Sequence, residues 1–333
     1  MEQQEQSSPS LETQLLNEAL TYYSCLEQPT ILVGHSGMNN TTRIVRDGNK
    51  QYNLRIYNNH QDKSKLQFEH EVLQRLQSQS PLHIMSPIPV YNRYDSTITE
   101  LSNGKLVAMF HYIEGERPSI DRVEHIAWLA TAAARLSKGL ASLTIDTEPA
   151  YSPYFDIAAN YEPLHEERID KISSPTDTIS QLKPHLLRIM QERALLESMC
   201  SQFATLPQQW IHGDINCSNA LCHSDQVVAI LDFEFVTRDA RVMELAVLLA
   251  ELIKPTTNNL TYKLQVLKNA FIKELPLQEE ELNLLEHLVK LRVVDVAMHF
   301  IGRYEDGLDD EHILTEIIIN ADYAITYVKS FHV

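Results

Sequence analysis

The sequence predicts an α+β chain in two lobes: a small antiparallel β-rich lobe carrying one helix, then a larger and mainly helical lobe. Three observations predict it. The first third alternates short β-branched and aromatic runs with turn residues. The remainder carries long stretches whose apolar residues recur at helical spacing. Two brief apolar runs interrupt that helical region between Ala220 and Leu231. The expected organisation is a flexible N-terminal arm over 1–20, a first lobe over 21–112 and a second over 113–333.

The first ten residues, MEQQEQSSPS, are polar and low in complexity, which suits a loose arm. Thr30 to Val33 is a strand-like run, the turn-rich GHSGMNN follows, and Thr41 to Arg46 is the second run. Asp47-Gly48-Asn49 is a hairpin turn signal, so Gln51 to Tyr57 reads as the third strand of a meander. From Lys63 to Gln77 the period becomes helical, with Leu66, Glu69 or His70, Leu73 and Leu76 on one face. Pro81, Pro87 and Pro89 mark a connection, and Leu106 to Ile113 is another apolar strand. Helical periodicity then covers Ile120–Leu143, Ile179–Ala204, Arg241–Ile253, Tyr262–Glu274, Glu279–Arg303 and Glu311–Phe331. Within it, Ala220–Cys222 and Val227–Leu231 flank His223-Ser224-Asp225-Gln226 as a small hairpin.

Composition narrows the function classes. The 333 residues are 44 % apolar, enough to bury a real core. A net charge of -17 repels phosphate backbones and anionic bilayers, so neither nucleic acid nor membrane is an expected partner. The same charge tolerates a cationic or zwitterionic small molecule. The N-terminus lacks a basic start followed by an apolar run, and the best apolar stretch, Met243 to Ile253, is short and interrupted by Glu244 and Glu251. Cytoplasmic residence is expected. The four cysteines form no CxxC pair and no Cys/His zinc spacing, consistent with reduced thiols. No sequence pattern specifies an oligomeric state.

The chemistry concentrates between Ile211 and Glu234. His212-Gly213-Asp214 is followed five residues later by Asn219, and thirteen beyond that by Asp232-Phe233-Glu234 at the end of an apolar run. Phosphoryl transfer to an alcohol needs one carboxylate to take or orient the hydroxyl proton and oxygen ligands to hold Mg²⁺ against nucleotide phosphates. The segment supplies those parts in the order of the protein-kinase pattern H-R-D-x-x-x-x-N followed by D-F-G. Taken singly, each residue is an ordinary turn carboxylate or amide.

This segment resembles the signature of the aminoglycoside phosphotransferase and choline kinase superfamily, which has the protein-kinase-like fold, and most of all its type II homoserine kinase branch. The resemblance runs from about Thr30 to the C-terminal helices. It implies ATP and Mg²⁺ as cofactors, Asp214 as catalytic base and Asn219 and Asp232 as metal ligands. His212 and Glu234 then support the catalytic loop, with Glu234 in place of the protein-kinase glycine.

The resemblance also assigns the first lobe. A phosphate-covering loop falls at 34–41, where Gly37 permits close approach and Asn39, Asn40 and Thr41 offer donors. It lacks the G-x-G-x-x-G spacing, and alone it reads as a polar turn. The third strand presents Arg55 rather than lysine to the phosphates; alone, Arg55 is a strand surface charge. Its expected partner on the following helix is Glu69, with Glu71 the competing choice. Met109, His111 and Ile113 fall at the hinge against adenine; alone, this is a core strand.

Two other readings share these parts. A protein kinase needs an activation loop and an A-P-E element, but only Phe235 to Ala240 separate Glu234 from the next helical pattern. A catalytically idle binding or structural member of the fold is the second, opposed by the complete Asp214, Asn219 and Asp232 set. The expected acceptor is a small-molecule hydroxyl. Homoserine comes first, then choline or another amino alcohol, then an aminoglycoside. Tyr154, Phe155, Asp156, Tyr161, Glu166 and Glu167 within 151–171, with Asp239, Glu244 and Asp295 elsewhere, are candidates to face it, each acid alone reading as a solvated surface group.

Overall fold

A computed structural model describes residues 11–33, 40–58, 62–78, 84–173 and 176–330. Two compact units form. The first comprises the described residues up to Ser78 together with Ser86–Glu114; the second runs from Gly115 onward and includes the short segment ending at Met85.

In the first unit, strands β1 (Thr30–Val33), β2 (Asn40–Asp47), β3 (Lys50–Tyr57), β4 (Thr99–Glu100) and β5 (Leu106–His111) make an antiparallel sheet in the order β1-β2-β3-β5-β4. Asp47 pairs with Lys50, so Gly48 and Asn49 form the two-residue connection, with Gly48 at a φ of +57° that favours glycine. Alternation along β3 sorts its side chains. Tyr52, Leu54 and Ile56 join Val107 and Met109 of β5 in a core closed by helix α1 (Leu11–Leu20) through Leu15, Leu16 and Ala19. Helix α2 (Lys63–Gln77) begins at Asp62, whose carboxylate accepts from the Ser64 amide as an N-cap.

Two expectations change here. The arm expected over 1–20 is a core-packed helix over Leu11–Leu20, because three apolar residues at helical spacing are enough to seal one sheet face. The strand expected over 106–113 stops at His111.

The second unit is built on helices α3 (Val123–Ala141), α7 (Lys183–Ser198), α9 (Met243–Leu252), α10 (Leu260–Glu274), α11 (Glu279–Glu305) and α12 (Glu311–Ser330). Shorter helices α4 (Ile157–Asn160), α5 (Glu166–Ile172), α6 (Asp177–Ser180) and α8 (Cys200–Phe203) fill the connection on either side of α7. Two small antiparallel pairs carry the motif region: β6 (Gln208–Ile211) with β9 (Thr237–Ala240), and β7 (Ala220–His223) with β8 (Gln226–Ile230). No helix among the described residues is long and apolar enough to cross a membrane.

Candidate active site

The loop after β6 is held by its own backbone chemistry. His212 is fully buried; its Nδ1 accepts from the Asp214 amide at 3.2 Å and its Nε2 lies 3.0 Å from the Leu231 carbonyl. Accepting at Nδ1 places the ring proton on Nε2, which therefore donates to Leu231. Burial pushes this imidazole down to about 4, so it stays neutral at physiological pH. The ring also packs edge-on against Phe233 at 4.7 Å, tying the loop to the segment after β8.

Gly213 has a φ of +79°, and a Cβ there would sit 3.1 Å from the Phe235 carbonyl. Both its backbone groups are used: its amide donates to Glu244 Oε1 at 2.7 Å and its carbonyl accepts from the Tyr154 hydroxyl at 2.5 Å. Only glycine meets the left-handed turn without strain.

Asp214 is the focus of the unit. Its Oδ1 accepts from a guanidinium nitrogen of Arg292 on α11 at 2.6 Å, and its Oδ2 accepts from the Asn219 amide at 2.9 Å. Oδ2 accepts a second, longer bond from the Asn216 side-chain amide at 3.3 Å, so the remaining accepting capacity lies on Oδ1. Burial pushes the carboxyl up to about 6; Arg292 opposes the rise, while the negative charges of Asp232 and Glu251 add to it.

Arg292 is itself oriented from two sides. It donates to the Tyr154 hydroxyl at 2.9 Å and to Asp295 Oδ2 at 3.2 Å, with Asp295 Oδ1 accepting from the Tyr161 hydroxyl at 2.8 Å. Burial works against the Arg292 charge, but Tyr154, Asp214 and Asp295 raise its pKa above the ordinary guanidinium value. Behind Tyr161, Arg193 of α7 donates to the Tyr161 and Glu162 carbonyls at 3.0 and 2.6 Å. Arg292 is absent from the sequence expectations, since its partner lies 78 residues away. The available signal was a charge set between Leu291 and Val293 on an apolar helix stripe.

Of the acids that read alone as surface groups, Asp239, Glu244 and Asp295 are buried instead, whereas Asp156, Glu166 and Glu167 are exposed. Asp239 accepts from the Tyr154 and Ala240 amides, both at 2.6 Å, and burial pushes it up to about 7. Glu244, pushed by burial to about 7, anchors Gly213, and Asp295 positions Arg292. Hydrogen bonds offset part of the solvent lost at each, a balance the linear sequence does not display.

Asn219 and Asp232 are brought together by the β7–β8 hairpin, with the Leu231 amide donating to the Asn219 carbonyl at 2.7 Å. The Asn219 amide nitrogen binds both the Asp214 carbonyl and Oδ2 at 2.9 Å, which turns Oδ1 the other way. Asp232 has a left-handed backbone, φ 67° and ψ 70°. An amide oxygen and a carboxylate are donors that suit a hard divalent cation, and the charge repulsion Asp232 exerts on Asp214 is what such a cation relieves. Among the described residues no group of three or more His, Cys, Asp or Glu side chains forms a complete metal cage. The remaining ligands of a cation here fall to phosphate and water. Glu234 lies in the 3-10 turn after Asp232.

Beside Asp214 and Arg292 a cavity of about 140 Å³ opens between α9, α11 and α12.

In the first unit, Arg55 projects from the sheet face opposite α1. Its guanidinium lies over the Tyr57 and Phe110 rings at 5.9 and 5.7 Å. Burial, with Arg55 second, pushes the neighbouring His70 imidazole of α2 down to about 4. Glu69 is buried on the same helix, whereas Glu71 pairs with Arg75 at 3.5 Å, which favours Glu69 of the two acids. Asn40 and Thr41 open β2, and Thr41 Oγ1 accepts from the Asn58 amide at 3.0 Å. Gly37 and Asn39 lie outside the described residues. Met109 is placed differently from expectation. Its side chain is fully buried in the α1-side core and its carbonyl accepts from Val90 at 2.7 Å, so neither is presented to adenine. Strand alternation is the reason, since Phe110 takes the opposite face. The His111 amide donates to Ile88 at 3.0 Å, and Ile113 follows beyond the strand.

A family model described as the phosphotransferase enzyme family matches residues 30–265. The chain belongs to that family. Within the phosphotransferase enzyme family it is similar to a homoserine kinase of Afipia carboxidovorans, 26 % identical over 246 residues that span 74 % of this chain and 70 % of the relative. By structure it is similar to a microcompartment-associated aminopropanol kinase, with a TM-score of 0.69 at 14 % identity over 95 % of this chain and 96 % of that one. An aminoglycoside phosphotransferase from Alicyclobacillus acidocaldarius gives a TM-score of 0.63 at 15 % identity, covering 98 % and 97 %. The two structural likenesses show the kinase-like fold, and the family makes this chain a small-molecule kinase.

Proposed function

We propose that this protein transfers the γ-phosphoryl group of ATP, with Mg²⁺, to the hydroxyl of a small molecule, a homoserine-like amino alcohol foremost. One observation carries the reading: a carboxylate, Asp214, with a pKa near 6, oriented by Arg292 and Asn219 beside a cavity. A general base works best when its pKa lies close to the operating pH. Asp214 takes the acceptor's hydroxyl proton as the bond from the γ-phosphorus to the ADP oxygen breaks and the new P–O bond forms. Asn219 and Asp232 hold the cation, which neutralises phosphate charge when bound. His212 and Glu234 keep the loop in place.

The same reading gives residues 21–112 the nucleotide, with Asn40, Thr41, Arg55 and Glu69 toward its phosphates and the backbone near His111 and Ile113 toward its base. Residues 113–333 take the acceptor. Homoserine kinase and aminopropanol kinase among the similar proteins support a small amino-bearing acceptor.

The test is ADP release from MgATP with a panel of homoserine, amino alcohols, choline and an aminoglycoside. Homoserine is expected to be turned over, and Asp214→Ala to lower kcat by about 10² to 10⁴. If no acceptor raises ADP release, the phosphotransfer reading fails. If only choline or the aminoglycoside does, the amino-alcohol assignment fails while phosphotransfer stands.

A further inference from the structure

The cavity beside Asp214 has walls unlike those a polar sugar requires. Helix α9 turns Val247 and Ala250 toward it, and α11 adds Val293 and Val296. Helix α12 contributes Ile317, Ala321 and Ala324, spaced four and three residues apart so that all lie on one helical stripe. Protein interiors are normally filled to near-crystal density, and alanines at these facing positions are what leave the space open. Larger side chains there close it.

The charged groups around this volume cancel in pairs. Asp214 meets Arg292 at 2.6 Å, and Glu251 meets Lys254 at 2.8 Å. The lining thus holds two acids and two bases. Against a chain of net charge -17, this neutrality is local. A polyamino sugar needs a carboxylate for each ammonium it buries, and these walls offer hydrocarbon instead. A molecule with one ammonium and one anionic group can exchange into the half-buried Glu251–Lys254 pair, while Asn320 adds a neutral polar contact from α12.

We propose that the acceptor is a compact hydroxylated molecule with an aliphatic body, carrying at most one charge of each sign, seated between α9, α11 and α12 with its hydroxyl at Asp214. The proposal rests on the phosphotransferase reading and deepens it: the hydrocarbon part, not a set of charges, sets selectivity. Each buried methylene is worth about a fourfold gain in kcat/KM until the cavity is full.

The experiment measures ADP release with MgATP for hydroxy amino acids and amino alcohols of two to six carbons, linear and branched, beside a polyamino sugar. It is run on wild type and on Ala321→Leu, with the thermal unfolding midpoint of each recorded. Expected is a stepwise rise of kcat/KM with chain length in wild type, negligible turnover of the polyamino sugar, and loss of the chain-length gain in Ala321→Leu by tenfold or more. The variant's midpoint is expected at or above that of wild type. A flat series, or preference for the polyamino sugar, overturns this inference and leaves phosphotransfer standing. A variant that melts higher yet keeps the full chain-length gain also overturns it, because the cavity is then a packing defect. ADP release by none of the compounds removes both readings.

Discussion

Replacing Arg292 with methionine tests what orients Asp214. The substitution keeps much of the side chain's volume and removes the guanidinium that donates to Asp214 Oδ1 at 2.6 Å. A hydrogen bond to a charged group contributes roughly 1.5–3 kcal/mol, and one pKa unit corresponds to about 1.4 kcal/mol, so the loss raises the Asp214 pKa by about one to two units. The wild-type value is about 6. The base must be ionised to act, so activity rises with pH through the pKa, and the acidic limb of the kcat/KM profile moves up by about one to two units. One pH unit above the wild-type limb the ionised fraction falls from about nine-tenths to between roughly one-half and one-tenth, and raising the pH by about two further units restores it. Arg292→Met also leaves Asp295 buried without its cation, so thermal unfolding is run alongside and the double variant with Asp295→Asn removes that second charge. A pH-independent loss of rate, with the limb unmoved from its wild-type position in both variants, refutes the claim that Arg292 holds Asp214 in its anionic form.

Two further outcomes follow from the same loop. Gly213→Ala forces a side chain into a φ of +79° with the Phe235 carbonyl 3.1 Å away. The expected cost is about 1–3 kcal/mol by denaturant titration, with activity falling as the Tyr154 and Glu244 bonds shift; unchanged stability and rate argue against this strain. Glu244 has a folded pKa of about 7, raised by burial from 4.5. Its neutral form is the one the fold prefers, so its contribution to stability is fully present below about 4.5 and drains as pH rises toward 7, by up to about 3 kcal/mol. Glu244→Gln keeps an oxygen for the Gly213 amide and is expected to flatten that decline, leaving the parts owed to Asp214, Asp239 and Asp295. An unaltered slope refutes the assignment.

What the sequence revealed and what it concealed divide by range of interaction. The meander and α2 were legible because period and turn chemistry act over a few residues, as at Asp47-Gly48-Asn49. The 211–234 segment was legible because loop, hairpin and strand end are contiguous. Helix α1 was hidden behind the polar composition of its neighbours, since its evidence is three buried residues. The β6–β9 pair joins four-residue strands whose apolar content is unremarkable alone. Arg292 and Asp295 reach partners 78 and 134 residues distant, so only the fold reveals that helix α11 completes the site. The burial of Asp239 and Glu244 was concealed for the same reason.

The β7–β8 hairpin separates two kinds of sequence freedom. Its ladder, Ala220 opposite Ile230 and Leu221 opposite Ala229, fixes how Asn219 and Asp232 approach each other. Its tip, from His223 to Gln226, has Ser224 at a φ of 55° and exposed side chains at 223–226. Residues inserted at Ser224-Asp225 lengthen the tip without slipping the ladder, whereas one residue inserted between Ala220 and Leu221 inverts every side chain after it. The tip is therefore the place to attach a fluorophore or epitope that reports on this region without altering the spacing of its two oxygen donors.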